Sequence, residues 1–593
     1  MIRDEFKKII DEALLAIQKE GRVKDINMQA YILEHPLELN FGDYATNAAM
    51  TLGKALKKNP KDFAELLIKK IKARKDPLIK KVEAVNGFIN FFISKEALLR
   101  ELEKVIKEKE CYGGGDGAGK KIVVEYSSPN ISKPFGIGHL RSTIIGQAIY
   151  NIYKFLGWEC QGINHLGDWG TPHGKIIYML FEKKLKGKNE RETEDVLQNL
   201  TVTELEKLYV DFHKEAEKNP EIQGYAREWF KRLETGDHQA RMIWQQTKTI
   251  SLHEFQRIYD LLGVRIDSVW GESFYEEMLK EVVEEARKKG IARESEGALI
   301  VEYEEGKVGE KLPPAMLLKS DGATTYFTRD LAAIKFRMRE FKPDVMVYET
   351  GVEQTLHFKQ VFAAAKMLGW IREQKFVHVR HGFYRWEHGK FRTRSGETIH
   401  LEEVLNEAIA RALKIIDASE TSRGLSATEE KNVAKSVGVG GVKYNDLARN
   451  PESDIIFDWE KILNLKGASA PYIQYTYARC MSILEKARDK LGVLRWESEE
   501  GYEDFSGEEI AILRFIYRFP EVVREAAERF SPNLIANFIF DLAQAFNLFY
   551  SARKVLEAES KEARDFRLFL TQAVAQVTKN GLTLLGISAP ERM

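Results

Sequence analysis

Residues 125–143 read Glu-Tyr-Ser-Ser-Pro-Asn-Ile-Ser-Lys-Pro-Phe-Gly-Ile-Gly-His-Leu-Arg-Ser-Thr, and no other stretch says more about the fold. The β-branched run at 121–124 precedes it and predicts a buried strand. Apolar residues at helical spacing follow it and stop at Gly157, which predicts a helix. They are Leu140, Ile144, Ala148, Ile149, Ile152 and Leu156. In a strand, loop and helix of this kind, backbone N–H groups and the helix dipole can bind a phosphate.

The loop between strand and helix combines several features of a phosphate site. Pro129 and Pro134 stiffen it, while Gly136 and Gly138 let a ligand approach the backbone. His139 stands at the predicted helix start, where its ring can donate a hydrogen bond to a phosphoryl oxygen. A single histidine there would be read as a capping residue, but the whole run favours a phosphate site.

Charge and length limit the possible functions. The chain has 593 residues, which is too long for one core and predicts three or four domains. Its 90 basic and 90 acidic residues give zero net charge, so overall charge is no argument for nucleic-acid binding. Any contact with RNA must come from local patches.

Cysteines and termini indicate the compartment. Cys111, Cys160 and Cys480 lie far apart and form no C-x-x-C pair, so neither a disulfide framework nor a metal site is expected. The N-terminal residues have no apolar signal core, and no apolar run is long enough to span a membrane. A cytoplasmic protein without a membrane segment is expected.

The order of strand and helix patterns predicts the domains. Residues 1–112 are expected to form a small α/β domain. Residues 118–400 alternate strands and helices, which predicts a Rossmann-type α/β domain with a parallel sheet and a charged helical insertion at about 183–290. A helical connector is expected at 401–450 and an all-α C-terminal domain at 451–593.

Two shorter segments carry further candidate chemistry. Gly389-Lys-Phe-Arg-Thr-Arg-Ser-Gly396 is a basic turn that could close over pyrophosphate oxygens, although alone it is more typical of a solvated turn. Tyr326-Phe-Thr-Arg-Asp330 follows a turn and opens a helix. Local sequence favours equally an N-cap role and a binding role for its aspartate.

These segments together resemble one family. Residues 125–143 are similar to the first signature of class I aminoacyl-tRNA synthetases, and the flanking Glu-x-Ser-Ser-Pro-Asn-x-x-Lys-Pro resembles arginyl-tRNA synthetases. Residues 389–396 look like a degenerate form of the second signature, Lys-Met-Ser-Lys-Ser. Other similar segments lie, in order along the chain, at 42–47, 162–171, 353–359, 470–479 and 586–593. The resemblance extends over essentially the whole chain.

The resemblance implies an arginine–tRNA ligase. Such an enzyme uses ATP and Mg²⁺ to form arginyl-adenylate and then transfers the arginyl group to the 3′ end of arginine tRNA. The expected partners are L-arginine, ATP and tRNA, and a monomer is expected. No nucleophilic side chain is required, because the substrates supply the nucleophile in both steps.

The resemblance also implies an arginine pocket made of Glu125, Asn130, Tyr326, Asp330 and Gln354. A guanidinium is a planar fork that binds paired carboxylates, so Glu125 and Asp330 are expected to converge on it. Asn130 and Gln354 are expected on the side of the α-amino and carboxylate groups.

The ATP site implied by the resemblance comprises Gly136, Gly138, His139, His357, Lys390 and Arg394. Lys133, His139 and Lys390 are the expected catalytic residues, which stabilise charge on phosphoryl oxygens. His165 and Asp168 are expected near the adenylate.

Transfer RNA is expected at both ends of the chain. Tyr472, Tyr475 and Tyr477 are candidate stacking surfaces for unpaired anticodon bases, although at least one of them is expected in the core. The N-terminal domain is expected to contact the outer corner of the tRNA.

Two departures from the family pattern leave alternatives open. The family usually has histidine where this chain has Gly136, and the second lysine of the other signature is absent, with Thr393 or Arg394 near its place and Lys133 as the expected substitute. A synthetase-like protein that binds tRNA without charging it is therefore one alternative. A class I synthetase of another specificity is the second, although the carboxylates Glu125 and Asp330 argue against apolar amino acids.

Overall fold

A computed structural model gives the fold of most of the chain. It describes residues 1–20, 26–115, 117–303, 306, 309–386, 389–390, 400–417, 425–491 and 505–593. Within these ranges, no helix has both the length and the apolar character that crossing a membrane requires.

The N-terminal part combines helices with a four-stranded antiparallel sheet. Its helices are α1 (Ile2–Lys19), α2 (Ala48–Ala55), α3 (Pro60–Ala73) and α4 (Lys95–Glu108). Its strands are β1 (Leu33–Glu34), β2 (Tyr44–Thr46), β3 (Ile79–Val85) and β4 (Phe88–Ile93), in the order β1-β2-β4-β3. One apolar face of α1 is buried, as its helical periodicity predicts.

A five-stranded parallel sheet forms the centre, in the order β12-β11-β5-β6-β7. Its strands are β5 (Lys121–Glu125), β6 (Glu159–Asn164), β7 (Ser268–Val269), β11 (Val345–Gly351) and β12 (Lys375–His381). The chain leaves β5 toward β6 on one side, whereas β11 and β12 lie on the other, so the strand order reverses between β5 and β11. Open parallel sheets bind ligands at such a point, outside the carboxyl ends of the strands.

Helices and short strands connect these five strands. The helices are α5 (Gly138–Phe155), α6 (Thr171–Leu180), α7 (Glu190–Gln198), α8 (Val202–Lys218), α9 (Ile222–Glu234), α10 (His238–Leu262), α11 (Leu279–Lys288), α12 (Tyr326–Phe341) and α13 (Thr355–Met367). The other strands are β8 (Ala292–Ser295), β9 (Ala298–Val301) and β10 (Ala315–Leu318), which form an antiparallel sheet, and β13 (Tyr384–Trp386) and β14 (Gly389–Lys390).

The edge strand β7 lies inside the range where the sequence predicts only a helical insertion. It pairs in parallel with β6, so the chain has returned to the central sheet by residue 268. A strand of two residues has no periodicity from which it could be recognised. This early return is important because it carries residues 270–273 to the carboxyl edge of the sheet.

The C-terminal part is helical apart from the two-residue strand β15 (Ile455–Ile456). Its helices are α14 (Leu401–Asp417), α15 (Ala427–Leu447), α16 (Trp459–Ile462), α17 (Ala470–Leu491), α18 (Gly507–Glu528), α19 (Asn533–Ala552) and α20 (Lys561–Leu584). Phe538, Leu542, Phe546 and Phe549 form the buried stripe of α19.

The N-terminal part docks on α18 through buried polar groups. Glu521 accepts hydrogen bonds from the Tyr44 hydroxyl and pairs with His35, whose Nε2 lies 3.0 Å from the carboxylate. Arg514 pairs with Asp43 at 2.7 Å. Removing one partner of such a buried set leaves an uncompensated charge, so these contacts fix how the two ends of the chain meet.

Candidate active site

The loop after β5 holds its backbone in an unusual conformation. Ser127, Ser128 and Ser132 have positive φ angles of 74°, 47° and 64°, which non-glycine residues seldom adopt. Two partners hold the loop in place, since Asn164 Oδ1 accepts from Ser128 N at 3.1 Å and Ser251 Oγ accepts from Ser132 N at 2.8 Å. Strain of this kind persists only where the surroundings impose it, and it is concentrated at functional sites.

The start of α5 is arranged for an anion. Ile137, the N-cap residue, makes no side-chain cap, and a Cβ at Gly138 would meet no atom within 4 Å. Gly136 N donates to His139 Nδ1 at 3.2 Å, while burial lowers the pKa of His139 to about 4. The ring is therefore neutral at pH 7, its Nδ1 is an acceptor, and Nε2 carries the proton that can be donated.

Gly136 itself is not among the described residues with a positive φ. Its backbone conformation is therefore open to any residue, and the sequence departure at this position does not reflect a left-handed turn.

Lys133 lies half-buried in the same loop. Its Nζ is 4.4 Å from the centre of the Tyr209 ring on α8, and burial lowers the pKa of its ammonium group. A cation over an aromatic face is attracted to it but is not neutralised, so the charge remains available to an anionic ligand.

The second basic segment lies only partly within the described residues. The backbone of Lys390 pairs with Arg385 across β13 and β14, but the Lys390 side chain and the whole of Arg394 lie outside the described residues. The chain re-enters beside the first loop, where Leu401 N donates to Phe135 O at 2.8 Å. The described chain thus stops at Lys390 and resumes at His400, next to the first signature loop.

Asp330 lies in an acidic pocket beside the loop that follows β5, and its side chain is 15% exposed. His357 Nε2 donates to its Oδ2 at 2.5 Å, and His165 Nε2 is 3.8 Å from its Oδ1. Burial alone would raise the pKa of Asp330, but the hydrogen bond and charge of His357 outweigh it and lower the pKa. The same contact raises the pKa of His357 against the effect of burial.

Glu125, at the end of β5, is already paired inside the protein. Its carboxylate is 2.5 Å from Nη1 of Arg337, and both side chains are almost completely buried. Arg337 Nη2 also lies 3.4 Å from His165 Nδ1. An internal guanidinium thus already pairs with Glu125, and the convergence of Glu125 and Asp330 on bound arginine stays a prediction.

Glu272 is an acidic pocket residue that the sequence reasoning missed. Its carboxylate is buried, and Oε2 has no hydrogen-bond partner among the described residues. Burial, with repulsion from Asp330 and Asp168, raises its pKa to about 8 despite the attraction of Arg329. A buried carboxylate with an unpaired oxygen, close enough to feel the charge of Asp330, is a candidate second acceptor for a guanidinium.

Asp168 holds Glu272 in place. Its carboxylate accepts hydrogen bonds from Ser273 N at 2.9 Å and from Ser273 Oγ at 2.7 Å, and it pairs with Lys248 at 2.7 Å. Glu272 N donates to Leu166 O at 3.0 Å. Asp168 is thus a positioning residue whose own charge is fully used within the protein.

Asn130, Tyr326 and Gln354, the other predicted residues of the arginine pocket, are all exposed. Tyr326 is 61% exposed at the first residue of α12, where burial of its hydroxyl and the charge of Glu272 raise its pKa. Gln354 is exposed at the end of a 3₁₀ turn before α13. Asn130 is exposed and bridges to Gly167, where a Cβ would lie only 1.8 Å from Asn130 Oδ1.

The three C-terminal tyrosines differ in exposure. The Tyr477 ring is 2% exposed and has no free face for a base, so the structure places it in the core. Tyr472 is half-buried, and its hydroxyl accepts from Asn547 Nδ2 at 3.0 Å. Tyr475 is half-buried beside Arg479, whose guanidinium carbon is 4.9 Å from its ring centre and 5.2 Å from that of Tyr550.

No group of three or more His, Cys, Asp or Glu side chains within the described ranges is placed to hold a metal ion. The three cysteines are free thiols.

Three family models match the chain. The model for the catalytic domain of class I tRNA synthetases (R) matches residues 101–459. The model for the arginyl tRNA synthetase N terminal domain matches residues 4–93, and that for the DALR anticodon binding domain matches residues 473–593.

Relatives match over their full lengths. An arginine–tRNA ligase of Clostridium botulinum is 39% identical over 592 residues, covering 99% of this chain and 100% of the relative. One from Halothermothrix orenii is 40% identical over 578 residues, covering 96% and 97%. The crystal structure of arginyl-tRNA synthetase from Plasmodium falciparum has a TM-score of 0.79 at 26% identity and covers 100% of this chain and 99% of its own.

Proposed function

Because the chain belongs to the class I arginyl-tRNA synthetase family, we propose that it is an arginine–tRNA ligase. It activates L-arginine with ATP and transfers the arginyl group to the 3′ end of arginine tRNA. The observation that carries the assignment is the acidic pocket of Asp330 and Glu272 beside a helix start that is open to phosphate. A cationic amino acid and a nucleotide fit these two adjoining places.

In the arginine pocket, Asp330 and Glu272 accept hydrogen bonds from the guanidinium, and the Tyr326 hydroxyl lies at its rim. Asn130 and Gln354 hold the α-amino and carboxylate end. Glu125 acts through Arg337 and His165, which form a continuous polar chain to Asp330. Since two carboxylates line the pocket, an apolar amino acid could pair with neither and would leave the Glu272 carboxylate without a partner.

The α-phosphate of ATP lies at the start of α5. Gly136 and Gly138 allow this approach, and His139 Nε2 donates to a phosphoryl oxygen. Lys133 and, from the second signature, Lys390 and Arg394 provide positive charge, while His357 lies between the two substrates.

An arginine carboxylate oxygen attacks the α-phosphorus, and the bond to the bridging oxygen breaks, which releases pyrophosphate. A ribose hydroxyl of tRNA then attacks the arginyl carbonyl, and AMP leaves.

Mg²⁺ enters with ATP. This cation keeps several waters and binds mainly through substrate phosphates, so it would need few ligands from the protein.

The outer domains bind tRNA. We assign residues 1–112 to the outer corner of the tRNA and residues 451–593 to the anticodon, with 401–450 as a connector. Tyr475 lines a cavity of about 340 Å³ with Arg479 and Tyr550, which offers aromatic and guanidinium faces to an unpaired base. Tyr472 is a second stacking candidate. We further propose that the protein is a cytoplasmic monomer with reduced thiols.

Charging of arginine tRNA by the purified protein tests the function. We expect ATP-dependent attachment of arginine, and ATP–pyrophosphate exchange measured with and without tRNA shows whether activation requires bound tRNA. Tight tRNA binding without either activity would establish the binding-protein alternative, and charging with another amino acid would establish a different specificity.

Arginine binding should strengthen as the pH rises toward 8. Glu272 binds a proton in the free protein below about pH 8, and a bound guanidinium favours its carboxylate form, so binding releases that proton. The KM for arginine should fall with rising pH and level off above about pH 8. Glu272→Gln should remove this titration and raise the KM roughly ten-fold or more at pH 8.5. Glu277→Gln, on the exposed side of the same turn, is the control and should keep the wild-type profile.

Tyr475→Ala should raise the KM for tRNA without changing arginine activation. Loss of one base–aromatic stack costs roughly 1–3 kcal/mol, which corresponds to a factor of about five to a hundred. Tyr475→Phe keeps the ring and should behave as wild type. An unchanged KM for tRNA in Tyr475→Ala would remove this residue from the anticodon site.

A further inference from the structure

Three basic side chains from three segments meet on one face of α8. Lys175 of α6 places its Nζ 3.4 Å from Nε2 of His213 and 5.8 Å from the centre of the Tyr209 ring. Lys133 lies over the same ring at 4.4 Å. The rings of Tyr209 and His213 are 4.7 Å apart. Both lysines therefore lie over the same face-forming ring, that of Tyr209.

Among the described residues, no carboxylate forms an ion pair with this basic cluster (Lys133, Lys175 and His213), although the charges of Glu206 and Glu217 act on Lys133 and His213. Within the described ranges, no carboxylate lies within 4 Å of any of the three charged groups. The nearby acid Glu206 is instead 3.3 Å from His400. The aromatic rings attract the cations but supply no counter-charge.

Burial and mutual repulsion act on the whole cluster. Burial lowers the pKa of Lys133, of Lys175 and of His213, and the charge of Lys133 lowers the last two further. Gathering like charges in partial burial is unfavourable unless an anion joins them. A purely structural role would be served better by neutral side chains at these positions.

The cluster lies where the leaving group of the first step must go. Lys133 is three residues before Gly136, at the entrance to the helix start that takes the α-phosphate. On the other side, Glu206 of α8 lies 3.3 Å from His400, the first described residue after segment 391–399. Helix α8 therefore adjoins both the first signature loop and the residue at which the described chain resumes after the second signature.

We propose that Lys175 and His213 form, with Lys133, a binding site for the β- and γ-phosphates of ATP and for the departing pyrophosphate. This assignment rests on the proposed function and adds two residues from outside both signatures. When the bond from the α-phosphorus to the bridging oxygen breaks, its electron pair stays on pyrophosphate. Fixed positive charge at that oxygen stabilises the transition state more than the ground state.

Lys175→Met and His213→Gln test the site. Loss of a charged contact should weaken inhibition by added pyrophosphate roughly ten- to hundred-fold and lower kcat for ATP–pyrophosphate exchange, while the KM for arginine stays unchanged. Lys175→Arg keeps the charge and should retain most of the activity. Lys214→Met, on the exposed side of α8 next to His213, is the matched control and should match wild type.

The pH dependence of pyrophosphate inhibition provides a second readout. A bound anion favours protonated His213, so binding takes up a proton and strengthens as the pH falls from 8 to 6. Lys175, Lys133 and Glu217 are the charged groups that influence this ring, and Tyr209 and Phe212 pack on it. The titration of pyrophosphate itself is common to all variants, so His213→Gln should show a shallower pH slope than wild type.

Three results would overturn the assignment. Wild-type pyrophosphate inhibition in Lys175→Met would show that the cluster does not touch the leaving group. A rise only in the KM for tRNA would show that it binds an RNA phosphate instead. Equal pH slopes in wild type and His213→Gln would exclude the histidine. In each case arginylation by the wild-type protein would leave the proposed function intact.

Discussion

Asp330→Asn is expected to raise the KM for arginine far more than the KM for ATP. Removing a charged hydrogen-bond partner from a desolvated pair costs about 2–5 kcal/mol, which is a factor of roughly thirty to several thousand. The asparagine also loses its ion pair with His357, which Asp330 now holds at 2.5 Å. Steady-state ATP–pyrophosphate exchange at varied arginine and at varied ATP separates the two constants.

The control for this variant is Glu340→Gln, an exposed carboxylate on the same helix. It should leave both constants unchanged, and the unfolding midpoint of each variant should stay near that of the wild type. If Asp330→Asn kept the wild-type KM and kcat for arginine, the guanidinium would bind elsewhere. Lysine should remain a poor substrate throughout, because it cannot pair with both Asp330 and Glu272 as a fork.

His139→Ala is expected to lower kcat for adenylate formation by about 10²–10³ with little change in arginine affinity. A donor fixed where charge develops typically contributes this much, and its loss affects the transition state more than the ground state. Lys133→Ala should act in the same direction. Rapid-quench measurement of adenylate formation isolates this step.

The titration of His139 offers an independent check. Its pKa of about 4 keeps the ring neutral across the working range, so protonation of His139 should contribute no loss of rate between pH 8 and 6. His253→Ala, an exposed histidine on α10, is the matched control and should keep full activity. A wild-type rate in His139→Ala would remove the imidazole from the phosphate site.

Short-range sequence patterns were sufficient to predict the phosphate-binding end of the site. A buried strand, a loop with two glycines and an apolar helix can each be recognised within a few residues, and together they correctly predict β5, the loop and α5. The helices of the C-terminal part are recognised in the same way, from the periodicity of stripes such as that of α19.

The acidic pocket could not be predicted in this way, because it depends on contacts between residues that are far apart in the sequence. Glu272 follows a two-residue strand, and nothing nearby in sequence indicates that its carboxylate is buried. Arg337 looks like a charge on the outer face of a helix, yet it is completely buried against Glu125, more than two hundred positions earlier. Helical periodicity cannot reveal a pairing that is set by the order of strands in the sheet.

The docking of Tyr44 and Asp43 on α18 has a consequence for synthesis of the chain. The partners Glu521 and Arg514 are 477 and 471 residues further along. A ribosome adds about 5–20 residues per second, so the first-made part waits roughly half a minute to a minute and a half for its docking surface. During that time its polar contact groups face water, and the rest of that part must be held by its own core of α1, α3 and the four-stranded sheet. Docking of the N-terminal part is therefore a late step of folding, which must wait until α18 has been made.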